Sequence, residues 1–381
     1  MNDMLKLRNE IDEVDKKLKE LFEYRMDLVL KIAEYKKKNG IPVYDPAREE
    51  EKLSQLKNSL ADKKNADAVV ELFSQIMAIS RRAQYAAINS ADDLGFTAVD
   101  EFEAGDDTVI AYYGETGSFT EQAMLEYFDG KGKGIPMGTF EEVMEALKNN
   151  KADYGVLPIE NSSTGTLSDI FDLLAEYDNY IIGEHVVAIN HILWGLPDAE
   201  LSDIKRVYSH RQGLLQCSNF LKKYPHWELV EGGSTAGAAK KVSMENDITQ
   251  AAIASRRAGE TYGLKILKPS IHNEEHNQTR FIIISNKRNY IRNAKRISIC
   301  FVLPHKSGAL YHMLSHFIHN NINLTKIESR PIKGQAFRYR FFIDFEGSLE
   351  DLEVKNALLS IKKEALEMKI LGSYVPVPNS N

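Results

Sequence analysis

A long apolar seam at the start of the chain limits its fold more than any other feature. Apolar residues fall at Met4, Leu7, Ile11, Val14, Leu18 and Leu21, and again at Leu28, Ile32 and Tyr35. The steps alternate three and four, the spacing of a heptad seam on one helix face. A helix of roughly 35 residues is about 50 Å long at 1.5 Å per residue. That is too long for a short monomeric bundle to cover, so the spacing predicts an intertwined helical dimer. One seam position, Arg25, breaks the rule, and a buried charge needs a partner or a ligand. Lys36 comes about 20° away around an ideal helix, so the two point into one space.

Past this helix, "IPVYDPAREEEKL" restarts a helix, with Asp45 as N-cap and Pro46 at its first position. A third helix is expected around Ala66 to Ala87. In it Ser80 and Gln84 continue the stripe of Phe73 and Met77, placing polar atoms where apolar ones would pack. A buried salt bridge that sets register would account for Arg25 as well as a ligand would. Taken singly, Asp45 reads as a cap and Glu49 as part of a solvated face.

The net charge of −7 is an uneven average. Asp92, Asp93, Asp100, Glu101, Glu103, Asp106 and Asp107 lie between Ala91 and Asp107 with no Lys or Arg among them. That stretch alone equals the imbalance and reads as a solvated linker over 91–107. It separates a helical segment, 1–90, from the rest of the chain. Cys217 and Cys300 provide no disulfide framework, so a reducing, cytoplasmic setting is expected. The charged start is no signal peptide, and no apolar run is long enough to span a membrane. There is no basic stripe with interleaved aromatics, which argues against nucleic acid as a partner.

From 108 to 287 the texture is α/β. Runs such as "TVIAYYG", "KRVYSH", "AAIAS" and "TRFIIIS" alternate with helical stretches. Within it, "GVLPIENSSTGTL" begins as a buried strand and ends in Glu160, Asn161, Ser162, Ser163 and Thr164. Capping explains one or two such residues but not five, and it is the better account of Ser163 and of the later Thr166. Ligands in open α/β sheets bind beyond the carboxyl ends of strands, so a pocket for a small polar or anionic molecule is expected there. The third segment, 296–377, reads strand–helix–strand–strand–helix–strand, the ferredoxin-like βαββαβ order.

Together, the polar residues of the first segment carry a resemblance. "LKLRNEIDEVDKKLKELFEYRMDLVLKIAEYKKKNGIPVYDPAREEEKL" resembles the all-helical chorismate mutases over nearly the whole segment. The resemblance implies catalytic positions at Arg8, Arg25, Lys36, Asp45, Arg48, Glu49, Ser80 and Gln84. Chorismate rearranges without proton transfer or a covalent intermediate, so the enzyme must fold the substrate and stabilise charge on the breaking ether. Arg8 and Arg25 would clamp the two carboxylates, and Lys36 and Gln84 would donate to the ether oxygen. Glu49 and the Asp45–Arg48 turn would hold the ring hydroxyl, and Ser80 a carboxylate. Arg8 sits roughly 100° from Arg25 around the helix, which suits entry into the site of a second subunit.

"DYGVLPIENSSTGTLSDIFDLL", "VYSHRQGLLQCSNFL", "STAGAAKKV" and "NQTRFIII" resemble prephenate dehydratase, which implies two lobes around a cleft, as in periplasmic binding proteins. Thr279 would then sit at the departing hydroxyl of prephenate, with Glu160, Asn161, Ser209, His210 and Gln216 at other active-site positions. Ser162, Thr164, Ser234 and Thr235 would bind carboxylates. Capping remains open for "NSSTGT" and "GGSTAG", and a buried structural role remains open for His210.

"SGALYHMLSHF" and "INLTKIESRP" resemble the ACT regulatory domain of these dehydratases. This implies L-phenylalanine as effector, held by Gly308, Ala309 and Leu310 and by Glu328, Ser329, Arg330 and Pro331. Tyr311 stands where a valine is usual, which would narrow that pocket or alter its preference. A strand alone is a weak account of Glu328 and Arg330 ahead of Pro331. His312, His316 and His319 share a helix face, but no neighbouring Cys or carboxylate completes a metal site there; "HNEEHNQ" is similarly suggestive and equally incomplete. No metal or other cofactor is expected, since neither reaction needs one.

The expectation is a multidomain, bifunctional chorismate mutase–prephenate dehydratase with a phenylalanine-sensing third domain, forming a homodimer or larger even assembly. An amino-acid sensor without catalysis would tolerate loss of the Arg–Lys–Glu set, which is intact. A dehydrogenase fusion would need a G-x-G-x-x-G turn, and "YYGETGSF" offers only G-x-x-G.

Overall fold

The computed structural model describes residues 2–60, 62–88, 94–274 and 276–377. Asp92 and Asp93 of the acidic stretch lie outside the described residues. The chain divides into two compact units: Met1–Gly95 with Phe301–Met368, and Phe96–Cys300 with Lys369–Asn381. No helix among the described residues is long and apolar enough to cross a membrane.

The first unit begins with α1 (Asn2–Asn39), α2 (Pro46–Ser59) and α3 (Ala66–Ile88). Asp45 caps α2 by accepting from the Arg48 N–H at 3.0 Å, and Pro46 opens the helix, as the sequence predicts. Ala33 and Val29 of α1 are buried, with Phe22, Arg25, Met26 and Lys36 partly buried around them. The apolar seam runs beside that face and stays open: Leu21 is 65% exposed and Tyr35 63%. Arg25 thus sits where the seam borders the inner face of α1.

The second unit opens with β1 (Thr97–Val99), β2 (Val109–Tyr113), α4 (Phe119–Tyr127), β3 (Lys133–Met137) and α5 (Phe140–Lys148). β4 (Tyr154–Asn161), the two-residue β5 (Gly165–Thr166), α6 (Ser168–Glu176) and β6 (Tyr180–Ala188) complete a first lobe. The chain then builds a second lobe from β7 (Ile192–Gly195), β8 (Arg206–His210), α7 (Arg211–Gln216), α8 (Ser218–Leu221) and β9 (Glu228–Gly232). It continues through α9 (Thr235–Glu245), β10 (Gln250–Ala254), α10 (Arg256–Thr261) and β11 (Lys265–Lys268). β12 (Gln278–Ser285) returns to the first lobe between β6 and β4. Two crossings between lobes thus frame a cleft.

Apolar clusters pack both faces of the second-lobe sheet, β11–β7–β10–β8–β9. Trp194, Val242 and Ala252 belong to one, and Leu193, Trp227 and Ile253 to the other. The first lobe is held by Ile110, Tyr112, Met124, Val156, Ile182 and Phe281. The solvated-linker reading does not describe the later part of 91–107. β1 pairs in parallel with β13 (Asn289–Ile291), and Phe102 and Ala104 pack against the first-lobe core. The acidic residues hid apolar ones that find a surface to cover.

The remaining elements are β14 (Arg296–Val302), α11 (Ala309–His319), β15 (Leu324–Pro331), β16 (Tyr339–Glu346), α12 (Leu352–Glu364) and β17 (Glu367–Tyr374), in the expected βαββαβ order. The ESRP stretch is regular strand after all. Glu328–Pro331 continue the antiparallel pairing of β15 with β16, with burial alternating along the strand. Pro331 is tolerated because it ends the strand.

Candidate active sites

The first site grows from the end of β4. In the antiparallel pairing of β4 with β12, Asn161 lies opposite Thr279 and Glu160 opposite Arg280. Side chains alternate along strands, so Asn161 and Thr279 share one face and Glu160 and Arg280 the other. Asn161 Oδ1 accepts from the backbone N–H groups of Ser163 (3.0 Å) and Thr164 (3.2 Å). Backbone N–H groups can only donate, so the amide orientation is fixed and Nδ2 faces β12. Nδ2 donates to Thr279 Oγ1 at 2.9 Å and to Asn277 Oδ1 at 2.8 Å. The Thr279 hydroxyl thereby accepts from Asn161 and keeps its own proton for another acceptor.

The polar chain extends backwards from Asn161. Ser163 Oγ donates to Asn161 Oδ1 at 2.7 Å and accepts from Gln216 Nε2 at 3.0 Å. Gln216 Oε1 lies 2.8 Å from His191 Nε2. Burial pushes the His191 imidazole down to about 4, so near neutral pH it is uncharged and donates through Nε2. Ser163, Thr164, His210, Gln212, Gln216 and Asn277 line a cavity of about 410 Å³ with Arg211 and His272. His210 Nδ1 accepts from the Gln212 N–H at 3.3 Å, which places its ring proton on Nε2.

Several expected residues lie elsewhere. Glu160 is ion-paired with Arg280 at 2.6 Å, on the face away from Thr279. Ser209 is fully buried and donates to Ile253 O at 2.8 Å. Ser234 caps α9 through the Gly237 N–H at 2.9 Å, and Thr235 packs where a side chain at Gly213 would meet it. Ser162 accepts from the Gln278 N–H at 2.9 Å and is exposed. Conversely, Ser163 does more than cap, and Asn277, Arg211 and His191 join the network or its cavity. "HNEEHNQ" contained the signal: its His272 and Asn277 line the cavity, while Glu275 lies outside the described residues.

The second site lies between α1 and α3. Arg25 Nη1 donates to Ser80 Oγ at 2.5 Å, and Gln84 sits one turn on, 8% exposed, with its Oε1 unsatisfied. Lys36 Nζ donates to Val43 O at 2.8 Å, just before the Asp45 cap. Arg48 instead pairs with Glu51 at 2.6 Å on the exposed side of α2. Glu49 pairs with Arg81, and Arg8 is exposed on α1, about 25 Å along the helix from Arg25 at 1.5 Å per residue. One chain therefore cannot bring Arg8 and Arg25 together.

In the third segment a cavity of about 400 Å³ is lined by Lys306, Ala309, Leu310, Arg338, Tyr339 and Phe341, among others. Gly308 starts α11 at φ 76°, a left-handed conformation that favours glycine. Glu328–Pro331 do not line this cavity. Tyr311 does not narrow it either, because its hydroxyl meets the Gln75 amide of α3.

The family model for prephenate dehydratase matches residues 110–289, and that for chorismate mutase type II matches 7–85. The sequence is 35% identical to a bifunctional chorismate mutase/prephenate dehydratase of Buchnera aphidicola subsp. Schizaphis graminum, over 98% of this chain and 96% of the relative. A bifunctional enzyme of the same description from Aquifex aeolicus is 33% identical over 98% of each chain. Among solved structures, prephenate dehydratase from Arthrobacter aurescens in complex with L-Phe matches with a TM-score of 0.65 at 30% identity, covering 71% of this chain and 90% of that one.

Proposed function

Because the chain belongs to the bifunctional chorismate mutase/prephenate dehydratases, we propose that it acts through two separate sites under phenylalanine control. It is an isomerase and a carbon–oxygen lyase of aromatic amino acid biosynthesis. Chorismate becomes prephenate, and prephenate loses CO2 and water to give phenylpyruvate.

The observation that carries the dehydratase reading is the direction of the Asn161–Thr279 hydrogen bond. As the carboxylate leaves as CO2, its bonding pair enters the ring and expels the hydroxyl, which must take up a proton to depart as water. A threonine whose oxygen already accepts from Asn161 presents its O–H to that departing group, stabilising it as charge develops. Arg211, His210 and the Ser163–Thr164 turn, beside the same cavity, would hold the carboxylates. Glu160 would support the site through Arg280 rather than touch substrate.

In the mutase, Arg25 and Ser80 would bind one carboxylate, Lys36 and Gln84 the ether oxygen, and Glu49 the ring hydroxyl. Arg8 would enter from a second chain. The exposed seam of α1 supports that reading, since pairing would bury Leu7, Ile11, Val14 and Leu18 and deliver Arg8 in one step. L-Phenylalanine would occupy the cavity beside Ala309 and Leu310 in an ACT-like third domain. A cytoplasmic setting suits the two free cysteines.

The test is a double dissociation. Thr279→Val should lose dehydratase activity on supplied prephenate while keeping mutase turnover. Arg25→Ala should do the reverse. Parallel loss of both activities in either variant would contradict separate sites.

A further inference from the structure

Glu49 is held by an arginine. Nη1 of Arg81 reaches both its carboxylate oxygens, at 2.6 and 2.5 Å. Arg81 sits on α3 directly after Ser80, so consecutive residues of one helix hold Arg25 and Glu49. The Arg81 side chain is 6% exposed, and its guanidinium lies 5.1 Å from the centre of the Tyr44 ring.

One partly exposed carboxylate is a poor counterion for so buried a cation. The second comes from α12: Arg81 Nε meets Glu364 Oε1 at 3.1 Å, and the other Glu364 oxygen lies 3.1 Å from His316 Nε2 of α11. Burial opposes ionisation of Glu364, but the hydrogen bond and charge of His316 and the charge of Arg81 outweigh it, so its pKa is lowered. Arg82 also donates to the His319 carbonyl, and Gln75 meets Tyr311. α11 thus packs on α3.

We infer that Arg81 is a positioning residue for the mutase and that Glu364, from the C-terminal segment, fixes Arg81. α2 has no buried residues of its own, so nothing else in that helix restricts the Glu49 carboxylate. The state of the third segment is therefore felt at the mutase through two ion pairs. The inference rests on the reading of Glu49 as the group that holds the chorismate ring hydroxyl.

The experiment measures mutase kcat and KM on chorismate for Glu49→Gln, Glu364→Gln and Arg81→Met, and for the pair Glu49→Gln with Glu364→Gln. Dehydratase activity on prephenate in the same preparations reports folding. Misplacing a reacting group by about 1 Å costs up to about 100-fold. Glu364→Gln is expected to lower kcat about 10- to 100-fold with a smaller change in KM. Once Glu49 is gone, Glu364→Gln should cost nothing more, because residues that act through one another are not additive. Normal mutase turnover in Glu364→Gln, or a loss that adds in full to that of Glu49→Gln, would overturn the inference. Normal turnover in Glu49→Gln would instead remove the role of Glu49 itself, and the inference with it.

Discussion

Asn161 donates to Thr279 across the β4–β12 pairing at 2.9 Å, and two backbone N–H groups make it impossible for the amide to turn the other way. The direction of that bond leaves the threonine proton free for another acceptor, which the proposed function takes to be the departing hydroxyl.

The isosteric change Asn161→Asp tests it. A carboxylate cannot donate, so the Thr279 hydroxyl would have to turn inward and give its proton to Asp. Loss of one oriented donor costs about 100-fold or more in kcat, and that loss is expected on prephenate with the mutase untouched. Steady-state kinetics at neutral pH decides it.

His191 predicts a pH dependence of stability. Its folded pKa is lowered by burial from 6.5 to about 4. Between those values the unfolded chain binds the proton and the folded chain does not, so stability falls as pH drops. The full window amounts to about 3 kcal/mol. Both tryptophans, Trp194 and Trp227, are buried in the second lobe, so urea unfolding tracked by their fluorescence at pH 7 and pH 5 reads the effect. His191→Asn should flatten it, while keeping a donor for Gln216.

Subunit mixing tests the shared mutase site. Arg8→Ala and Arg25→Ala should each be inactive alone. In a random mixture half the dimers are hybrids with one intact site, so about a quarter of wild-type turnover should return. No recovery after verified exchange would contradict a site that takes Arg8 from a second chain.

Gly308→Ala tests the effector cavity. A φ of 76° is strained for alanine, so the start of α11 should shift. The phenylalanine concentration needed for half-inhibition should rise. Unchanged inhibition would put the effector elsewhere.

Periodicity and turn chemistry made much of this legible. Asp45 and Pro46 announced α2, Ser80 and Gln84 interrupted an apolar stripe, and the polar run after Ile159 marked the cleft. What was hidden depends on tertiary neighbours. Glu160 is polar and adjacent to Asn161, yet the strand period turns it to the other face, where Arg280 waits. His191 carries no local pattern and matters only because the fold brings it to Gln216 of α7. The Arg81–Glu364 pair spans 283 residues of sequence and could not be read from either end. Leu21 and Tyr35 illustrate the opposite case, in which a seam that is regular in the sequence stays exposed among the described residues.

The most direct measurement supplies the purified chain with chorismate alone and monitors both products. Prephenate should appear first and phenylpyruvate after a lag. In Thr279→Val prephenate should accumulate without phenylpyruvate, and in Arg25→Ala chorismate should remain. Phenylpyruvate formed from chorismate by the Thr279→Val chain, or none formed by the wild-type chain, would contradict the account.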